Sequence, residues 1–227
     1  MNVVYAMTRA VYHKIIPSLR SLAEHEPDAS IIILCEDDEL PDLPCKAEVI
    51  NISEQAWFPR SGVNYWNPYT YINLLKVRYP SILHWMDKVV HLDIDTIITD
   101  SLQGMWETDV AGKWFAAVPE YLGAYRPFGP VYYNMGVALI NLVQMRRDGI
   151  ESVMTDYLNT IPQPYADQDA WIKYGLEQDK IALLDLRYNE SMVTGYTDHP
   201  AIVHYCAISN WWEDRGIYRH EYLDKYR

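Results

Sequence analysis

The fold is decided by residues 88–96, which read KVVHLDIDT and carry an apolar run into two acidic residues. Val89, Val90 and Leu92 are residues typical of β-strands, and this is the most strand-like stretch of the chain. One residue separates Asp93 from Asp95, so their side chains point to the same side if the extended backbone continues through them. The stretch therefore predicts a buried strand with two carboxylates at its carboxyl end.

Similar apolar runs recur along the chain and alternate with segments of helical spacing. Further strands are expected at residues 1–6, 30–35, 47–52, 114–118, 131–142, 181–186 and 201–205. Helices are expected around residues 15–22, from about residue 69, and at 167–174, followed by a polar tyrosine-rich tail. This alternation predicts an α/β fold with a mostly parallel sheet flanked by helices.

Composition places the chain among globular proteins and disfavours two classes of partner. The chain has 227 residues, enough for one large α/β domain, and 49% of them are hydrophobic. Its 31 acidic residues outnumber 19 Lys and Arg, and the resulting net charge of -12 repels nucleic acid and anionic lipid. Three cysteines without a CxxC pair indicate neither a disulfide framework nor a zinc knuckle. A reducing compartment is therefore expected.

The amino terminus and the hydropathy pattern give an expectation for location. Residues 1–22 include Arg9 and lack the apolar core and cleavage site of a signal peptide. No window approaches the ~18 apolar residues of a membrane span. We expect a cytoplasmic protein without a membrane span.

Two aspartates and one histidine form the best candidate for a metal site. Asp93 and Asp95 lie where open α/β sheets bind ligands, beyond the carboxyl ends of the strands. His204 ends another apolar run, and a neutral imidazole beside two carboxylates suits a Mn²⁺-like ion. The alternatives are a solvated strand end and a core histidine, whereas His91 and His199 are expected to take no part.

Five motifs in order resemble one enzyme family. They are the first strand at residues 1–6, the segment 87–106 that contains DID, the segment 133–142 that contains NMG, the DQD at 167–169, and HYC at 204–206 followed by tryptophan. The sequence resembles the retaining glycosyltransferases of family 8, the glycogenin and lipopolysaccharide galactosyltransferase type. That resemblance implies a single GT-A domain over residues 1–227, with a nucleotide-sugar part at about 1–110 and an acceptor and metal-completing part at about 111–212.

The resemblance also implies a cofactor and its ligands. Asp93, Asp95 and His204 would hold Mn²⁺, with Mg²⁺ as the alternative, and the ion would bind the donor diphosphate. A cation is needed because a diphosphate brings about two negative charges into an acidic protein, where each unit pair at 4 Å is worth about 4 kcal/mol at an effective dielectric of 20.

Donor contacts on the nucleotide side are implied by position in the same motifs. Ala6 and Thr8 fall where the family's first strand meets the uridine, and the Ile94 backbone falls under the ribose. Asn73 stands where the family commonly has an arginine, and Asn210 where it has a phosphate-binding lysine. We expect either weakened diphosphate binding with heavier reliance on the metal, or an unusual donor.

Two further departures, and one compensation, belong to the same comparison. The family's ADD is replaced by Ala6-Met7-Thr8, and Ala207 replaces the glycine of the last motif. Lys76, one helical turn after Asn73, is a candidate substitute for the missing arginine.

The sugar and the reaction are assigned to four residues. Glu120 and Asn134 fall where the family contacts the donor sugar hydroxyls, and Asp167 and Gln168 are expected to face the anomeric carbon. Retention would follow either from attack by a carboxylate or from front-face approach of the acceptor, and both routes stay open. Tyrosine- and tryptophan-rich loops are candidate walls for a carbohydrate acceptor.

Two functions are consistent with this sequence, and a third is disfavoured by it. The first is a retaining glycosyltransferase that moves a hexose from a UDP-sugar to a hydroxyl acceptor. The second is a homologue that binds a nucleotide sugar with weak or no transfer, which the changes at Ala207 and Asn210 favour. The third, a nucleotidyltransferase, would require a glycine-rich phosphate loop, which residues 6–11 lack.

Overall fold

The computed structural model describes residues 1–121, 129, 131–208, 211–213 and 218–227. The strands, in chain order, are β1 (Asn2–Ala6), β2 (Ser30–Cys35), β3 (Glu48–Asn51), β4 (Lys88–Leu92), β5 (Thr96–Ile98), β6 (Phe115–Glu120), β7 (Tyr132–Asn141), β8 (Ile181–Leu183) and β9 (Ile202–His204). The α-helices are α1 (Tyr12–His25), α2 (Thr70–Leu74), α3 (Tyr79–Ile82), α4 (Gln103–Trp106), α5 (Leu142–Asp148), α6 (Ile150–Thr160), α7 (Asp167–Glu177) and α8 (His220–Tyr226).

Within the described ranges, seven strands form one mixed sheet in the order β3-β2-β1-β4-β7-β6-β8. The first four pair in parallel, β7 runs antiparallel to both β4 and β6, and β8 is parallel to β6. The prediction of a mostly parallel sheet flanked by helices is confirmed, with β7 as the antiparallel exception.

Both faces of the sheet are buried, which explains why its strands read as continuous apolar runs. Along β1, Val4 and Ala6 enter the core shared with α2, α3, α5, α6 and α7, whereas Val3 and Tyr5 enter the core shared with α1 and α4. Because side chains alternate between faces, a strand covered on both sides needs an apolar residue at every position.

Strand order reverses between β1 and β4, and this reversal opens a crevice at their carboxyl ends. The residues after β1 and the aspartates after β4 lie at this crevice. A second small sheet pairs β5 with β9 antiparallel, placing Thr96 opposite His204. The pairing carries the histidine back to the aspartates across more than a hundred residues of chain.

Three expectations about local structure were wrong in detail. Asp93 and Asp95 lie in a turn between β4 and β5, because Thr96 Oγ1 donates to the Asp93 carbonyl at 2.8 Å and closes the chain on itself. The strand expected at 181–186 ends at Leu183. The tail contains α8, whose Leu223 and Tyr226 pack on a small core with Val203. None of the described helices has the length and apolar character needed to cross a bilayer.

Candidate functional site

Three potential ligands converge at the carboxyl end of β4. His204 Nε2 lies 3.2 Å from Asp95 Oδ1 and 4.0 Å from Asp93 Oδ2. One donor atom from each residue lies within 4.8 Å of the others. Ligand atoms bound ~2.1 Å from an octahedral ion are themselves ~3–4 Å apart, so the spacing suits one divalent cation. His204 Nε2 is buried and makes no hydrogen bond within the described part of the chain.

Gly136, on β7, leaves the space that this cluster occupies. A Cβ at this position would lie 2.3 Å from His204 Cε1 and 2.6 Å from Asp93 Oδ2. The Gly136 carbonyl accepts from Asp93 N at 2.7 Å, so the backbone of β7 presses directly against the aspartate. Any side chain here would displace two of the three candidate ligands, which supports the fit of the cluster to a bound cation.

A buried histidine orients Asp93 from behind. His91 Nε2 donates to Asp93 Oδ1 at 2.9 Å, which makes His91 Nδ1 the acceptor of the Tyr79 hydroxyl at 3.0 Å. Burial, followed by the charge of Lys76, lowers the pKa of His91 to about 4, so the ring is neutral at pH 7. The expectation that His91 takes no part is wrong. The signal was its i,i+2 spacing to Asp93, which places both on one face of the strand.

Lys76 places a buried positive charge beside Asp93 and Asp167. Its Nζ lies 3.6 Å from Asp93 Oδ1 and 3.4 Å from Asp167 Oδ2, and its side chain is 4% exposed. Burial acts to raise the pKa of Asp93, but Lys76 and then His91 hold it well below its usual range. Burial raises the pKa of Asp167 to about 6 although Lys76 opposes the shift. Asp93 is therefore ionised at every physiological pH, while Asp167 titrates near the acidic end of the physiological pH range.

His204 is held in a negative environment. Burial acts to lower the pKa of its ring. Cys206 and Asp95 act in the opposite direction and outweigh burial, so the net pKa is raised well above the usual value. A ligating imidazole is neutral at the nitrogen that binds, so binding of a cation here releases a proton.

Four predicted residues line a cleft of about 260 Å³ on one side of the cluster: Glu120, Asn134, Asp167 and Gln168. Gln168 accepts from Met135 N at 2.9 Å and donates to Glu120 at 3.2 Å, so both ends of its amide are engaged. Asn134 donates to the same Glu120 oxygen at 2.9 Å. Burial raises the pKa of Glu120.

The residues predicted to contact the nucleotide line a second cleft, on the other side of Asp93. Ala6, Thr8 and Ile94 lie in its wall, and Asn73 borders both clefts. Asn73 Nδ2 donates to the Tyr69 carbonyl at 2.8 Å. Lys14, which the sequence reasoning did not single out, lines the same cleft and makes no ion pair with any described residue. Asn210 lies outside the described residues.

Comparison with known proteins identifies the family. The profile of "Glycosyl transferase family 8" matches residues 43–216. The chain belongs to glycosyl transferase family 8. Glycosyltransferase GlyA of Streptococcus pneumoniae is 30% identical over 138 residues, 56% of this chain and 20% of that protein. General stress protein A of Bacillus subtilis is 23% identical over 170 residues, 61% of this chain and 57% of that protein. The chain thus spans little more than half of one relative's length and a fifth of the other's.

A solved structure agrees with the GT-A architecture of family 8. Galactosyltransferase LgtC, crystallised with donor and acceptor sugar analogues, superposes with a TM-score of 0.75 at 21% identity, covering 99% of this chain and 94% of that one. At this identity the likeness establishes the shared fold.

One departure from the family 8 motifs leaves a mark on the backbone. Ala207, which the resemblance aligns with a glycine, has φ of 63°, in the left-handed region. Ala166, directly before Asp167, is also strained, with φ 52° and ψ -126°. Such conformations cost of order 1–3 kcal/mol each for a residue with a Cβ, and both flank the candidate site.

Proposed function

We propose that this family 8 chain is a Mn²⁺-dependent retaining glycosyltransferase that moves a hexose from a UDP-sugar to a hydroxyl of a carbohydrate acceptor. The observation that carries the proposal is the position of Asp93, Asp95 and His204 at the boundary between two clefts. A nucleotide diphosphate sugar has its base and its sugar on opposite sides of the diphosphate, so a cation at such a boundary meets the diphosphate.

The donor set fits a manganese-like ion. Two carboxylates supply hard oxygen ligands, and one imidazole suits a first-row transition ion better than Ca²⁺. When bound, the cation would supply Lewis-acid stabilisation of the negative charge that develops on the diphosphate leaving group. Mg²⁺ is the alternative that the same oxygens accept.

Two lysines would assist on the diphosphate side. Lys76 is buried between Asp93 and Asp167 and keeps its charge, because the attraction of these carboxylates outweighs the cost of burial and its pKa is raised. Lys14 lines the nucleotide cleft. Together they would offset part of the cation deficit at Asn73 and Asn210, where the family commonly has an arginine and a lysine.

On the sugar side, Glu120 and Asn134 would hold hydroxyl groups of the hexose. Asp167 and Gln168, which line the same cleft, would face the anomeric carbon. The buried Asp167, at an ordinary ion-pair distance from Lys76, is the carboxylate best placed to stabilise positive charge at that carbon.

Aromatic residues that line the sugar cleft favour a carbohydrate acceptor. Tyr69, Tyr132 and Tyr165 line the cleft, and the ring centroid of Tyr165 lies 6.4 Å from that of Tyr69 and 6.1 Å from that of Tyr132. Trp66, nearby in sequence, is 74% exposed. Aromatic faces pack against the C–H face of a pyranose, so this tyrosine lining suits a sugar ring better than a charged peptide.

The test is hydrolysis and transfer assayed over a panel of nucleotide sugars with Mn²⁺ or with EDTA. We expect Mn²⁺-dependent release of UDP, loss of release in Asp95→Ala, and a product that ¹H NMR shows to keep the anomeric configuration of the donor. Asp156→Ala is the matched control, because Asp156 is an exposed acid on α6 remote from the clefts. Release that persists in EDTA or in Asp95→Ala contradicts the proposal, and donor binding without turnover favours the non-transferring homologue.

A further inference from the structure

A chain of buried amide side chains runs behind the candidate metal ligand His204. His204 Nδ1 lies 2.9 Å from Asn189 Oδ1, and Asn189 Nδ2 lies 2.9 Å from Asn134 Oδ1. Asn134 Oδ1 also accepts from the backbone N–H of Gly136 at 3.1 Å. Asn189 is fully buried, and Asn134 and His204 are nearly so.

The direction of every hydrogen bond in this chain is set by one backbone group. A backbone N–H can only donate, so the Asn134 atom facing Gly136 is the oxygen. Asn189 must then present its NH₂ group to that oxygen, which turns its own Oδ1 toward His204. Nδ1 of the ring therefore carries a hydrogen, and Nε2 is the nitrogen directed at Asp93 and Asp95.

Asn189 is itself fixed by its neighbours in the chain. It follows the 3₁₀ turn Leu186–Tyr188, and its N–H donates to the Leu186 carbonyl at 3.0 Å. The next residue, Glu190, donates to the Ile202 carbonyl at 3.0 Å and accepts from His204 N at 2.8 Å. The backbone of Asn189 is thus locked alongside β9, and its side chain has little freedom to follow a rotating ring.

We propose that Asn189 is the positioning residue that fixes the ring nitrogen of His204 presented to the cation. This inference rests on the proposed metal centre and adds to it a residue that touches neither metal nor substrate. Partners that hold the second nitrogen of a ligating histidine typically contribute 10–100-fold in metal affinity. Without Asn189 no acceptor fixes Nδ1 of the ring, and Asn134 Oδ1 keeps the Gly136 N–H as a donor but loses the Asn189 amide.

The experiment compares Mn²⁺ affinity in three variants, with free Mn²⁺ measured by electron paramagnetic resonance. Asn189→Ala removes the acceptor, whereas Asn189→Asp keeps an oxygen facing Nδ1 and removes the donor toward Asn134. Asn64→Ala is the matched control. Asn64 is equally buried and holds Leu158, Ile161 and Gln163, but it lies outside the site.

The expected results separate positioning from general stability. Asn189→Ala should bind Mn²⁺ about 10–100-fold more weakly than wild type, whereas Asn189→Asp and Asn64→Ala should stay within about threefold. Long-range ¹H–¹⁵N spectra of the Mg²⁺-loaded protein should show His204 protonated at Nδ1 in wild type, with ring nitrogens averaged in Asn189→Ala. If Asn189→Ala does not fold, Asn189→Ser removes the same contact because its hydroxyl is too short to reach the ring.

Two outcomes overturn the inference, and they are distinguishable from failure of the proposed function. If wild type binds Mn²⁺ and Asn189→Ala or Asn189→Ser binds it with the same affinity, only the proposed role of Asn189 is refuted, and the metal centre stands. Equal losses in the Asn189 variants and in Asn64→Ala also refute it, since stability then accounts for the effect. Wild-type protein that binds no Mn²⁺ overturns both this inference and the metal centre on which it rests.

Discussion

Replacing Gly136 with alanine places one methyl group inside the ligand cluster. The new Cβ would lie 2.3 Å from His204 Cε1 and 2.6 Å from Asp93 Oδ2, whereas ordinary contacts begin near 3.4 Å. The ring must therefore retreat by about 1 Å, and metal–ligand distances tolerate only about 0.2 Å. We expect Mn²⁺ affinity to fall by more than about 100-fold, beyond the usual effect of losing a partner behind a ligand.

The same substitution also overpacks the protein, and this cost must be measured separately. Inserting a methylene into a close-packed interior costs typically about 1–3 kcal/mol, which corresponds to roughly 2–12 °C in Tm for a chain of this length. Gly175→Ala is the matched control, because its Cβ would meet Ile181 Cγ1 at 2.7 Å and Ile181 Cδ1 at 2.9 Å within the core. It should lower Tm comparably and leave Mn²⁺ affinity intact.

The assay pairs thermal unfolding with Mn²⁺ titration on both variants. Gly136→Ala is expected to lose Mn²⁺ binding and metal-dependent UDP release, while Gly175→Ala keeps both. If Gly136→Ala folds and binds Mn²⁺ with wild-type affinity, the cation does not lie between Asp93 and His204. If both variants lose binding in proportion to stability, packing rather than ligand displacement explains the result.

Four further predictions concern charge and backbone strain around the site. Burial raises the pKa of Asp167 to about 6, so UDP release at saturating Mn²⁺ should fall as pH drops through 6. Asp167→Asn should be slow at every pH and, at saturating Mn²⁺, lose this pH dependence without losing Mn²⁺ affinity. The raised pKa of His204 means that Mn²⁺ displaces a proton, so calorimetric Mn²⁺ affinity should increase with pH until the ring is neutral, and proton release should vanish in His204→Ala. Lys14→Ala should weaken UDP binding several-fold and reduce its salt dependence, measured by titration calorimetry, whereas unchanged affinity removes Lys14 from the donor site. Ala207→Gly should relieve a left-handed φ of 63° and raise Tm by about 2–4 °C for each kcal/mol recovered, while a lower Tm would show that the strain is not stored there.

The sequence was sufficient for the sheet because burial imposes a visible pattern. A strand covered on both faces is apolar at most of its positions, and residues 31–35 show this directly, whereas in residues 88–92 only His91 is both polar and buried. The turn that carries Asp93 and Asp95 could not be predicted from the sequence, because the two acids are one residue apart in sequence whether the backbone is extended or turned. The decisive hydrogen bond, from Thr96 to the Asp93 carbonyl, has no distinct signature in composition.

The residues of the candidate site that belong to sequence motifs were predictable from the sequence. The residues that reach the site only through tertiary contacts were not. The structure brings Asp93, Asp95 and His204 together, as the motifs implied. Glu120, Asn134, Asp167 and Gln168 line the cleft beside them. Asn189 gave no local signal, because its role depends on a bridge between Glu190 and Val203 that only the folded chain supplies.

The central claim is that one divalent cation binds between Asp93, Asp95 and His204, and anomalous diffraction at the manganese edge tests it most directly. Crystals grown with Mn²⁺ and UDP should show a single strong peak about 2.1 Å from an oxygen of each aspartate and from His204 Nε2, with the diphosphate on its open side. A peak elsewhere, or ordered UDP without a peak among these three side chains, would contradict the account.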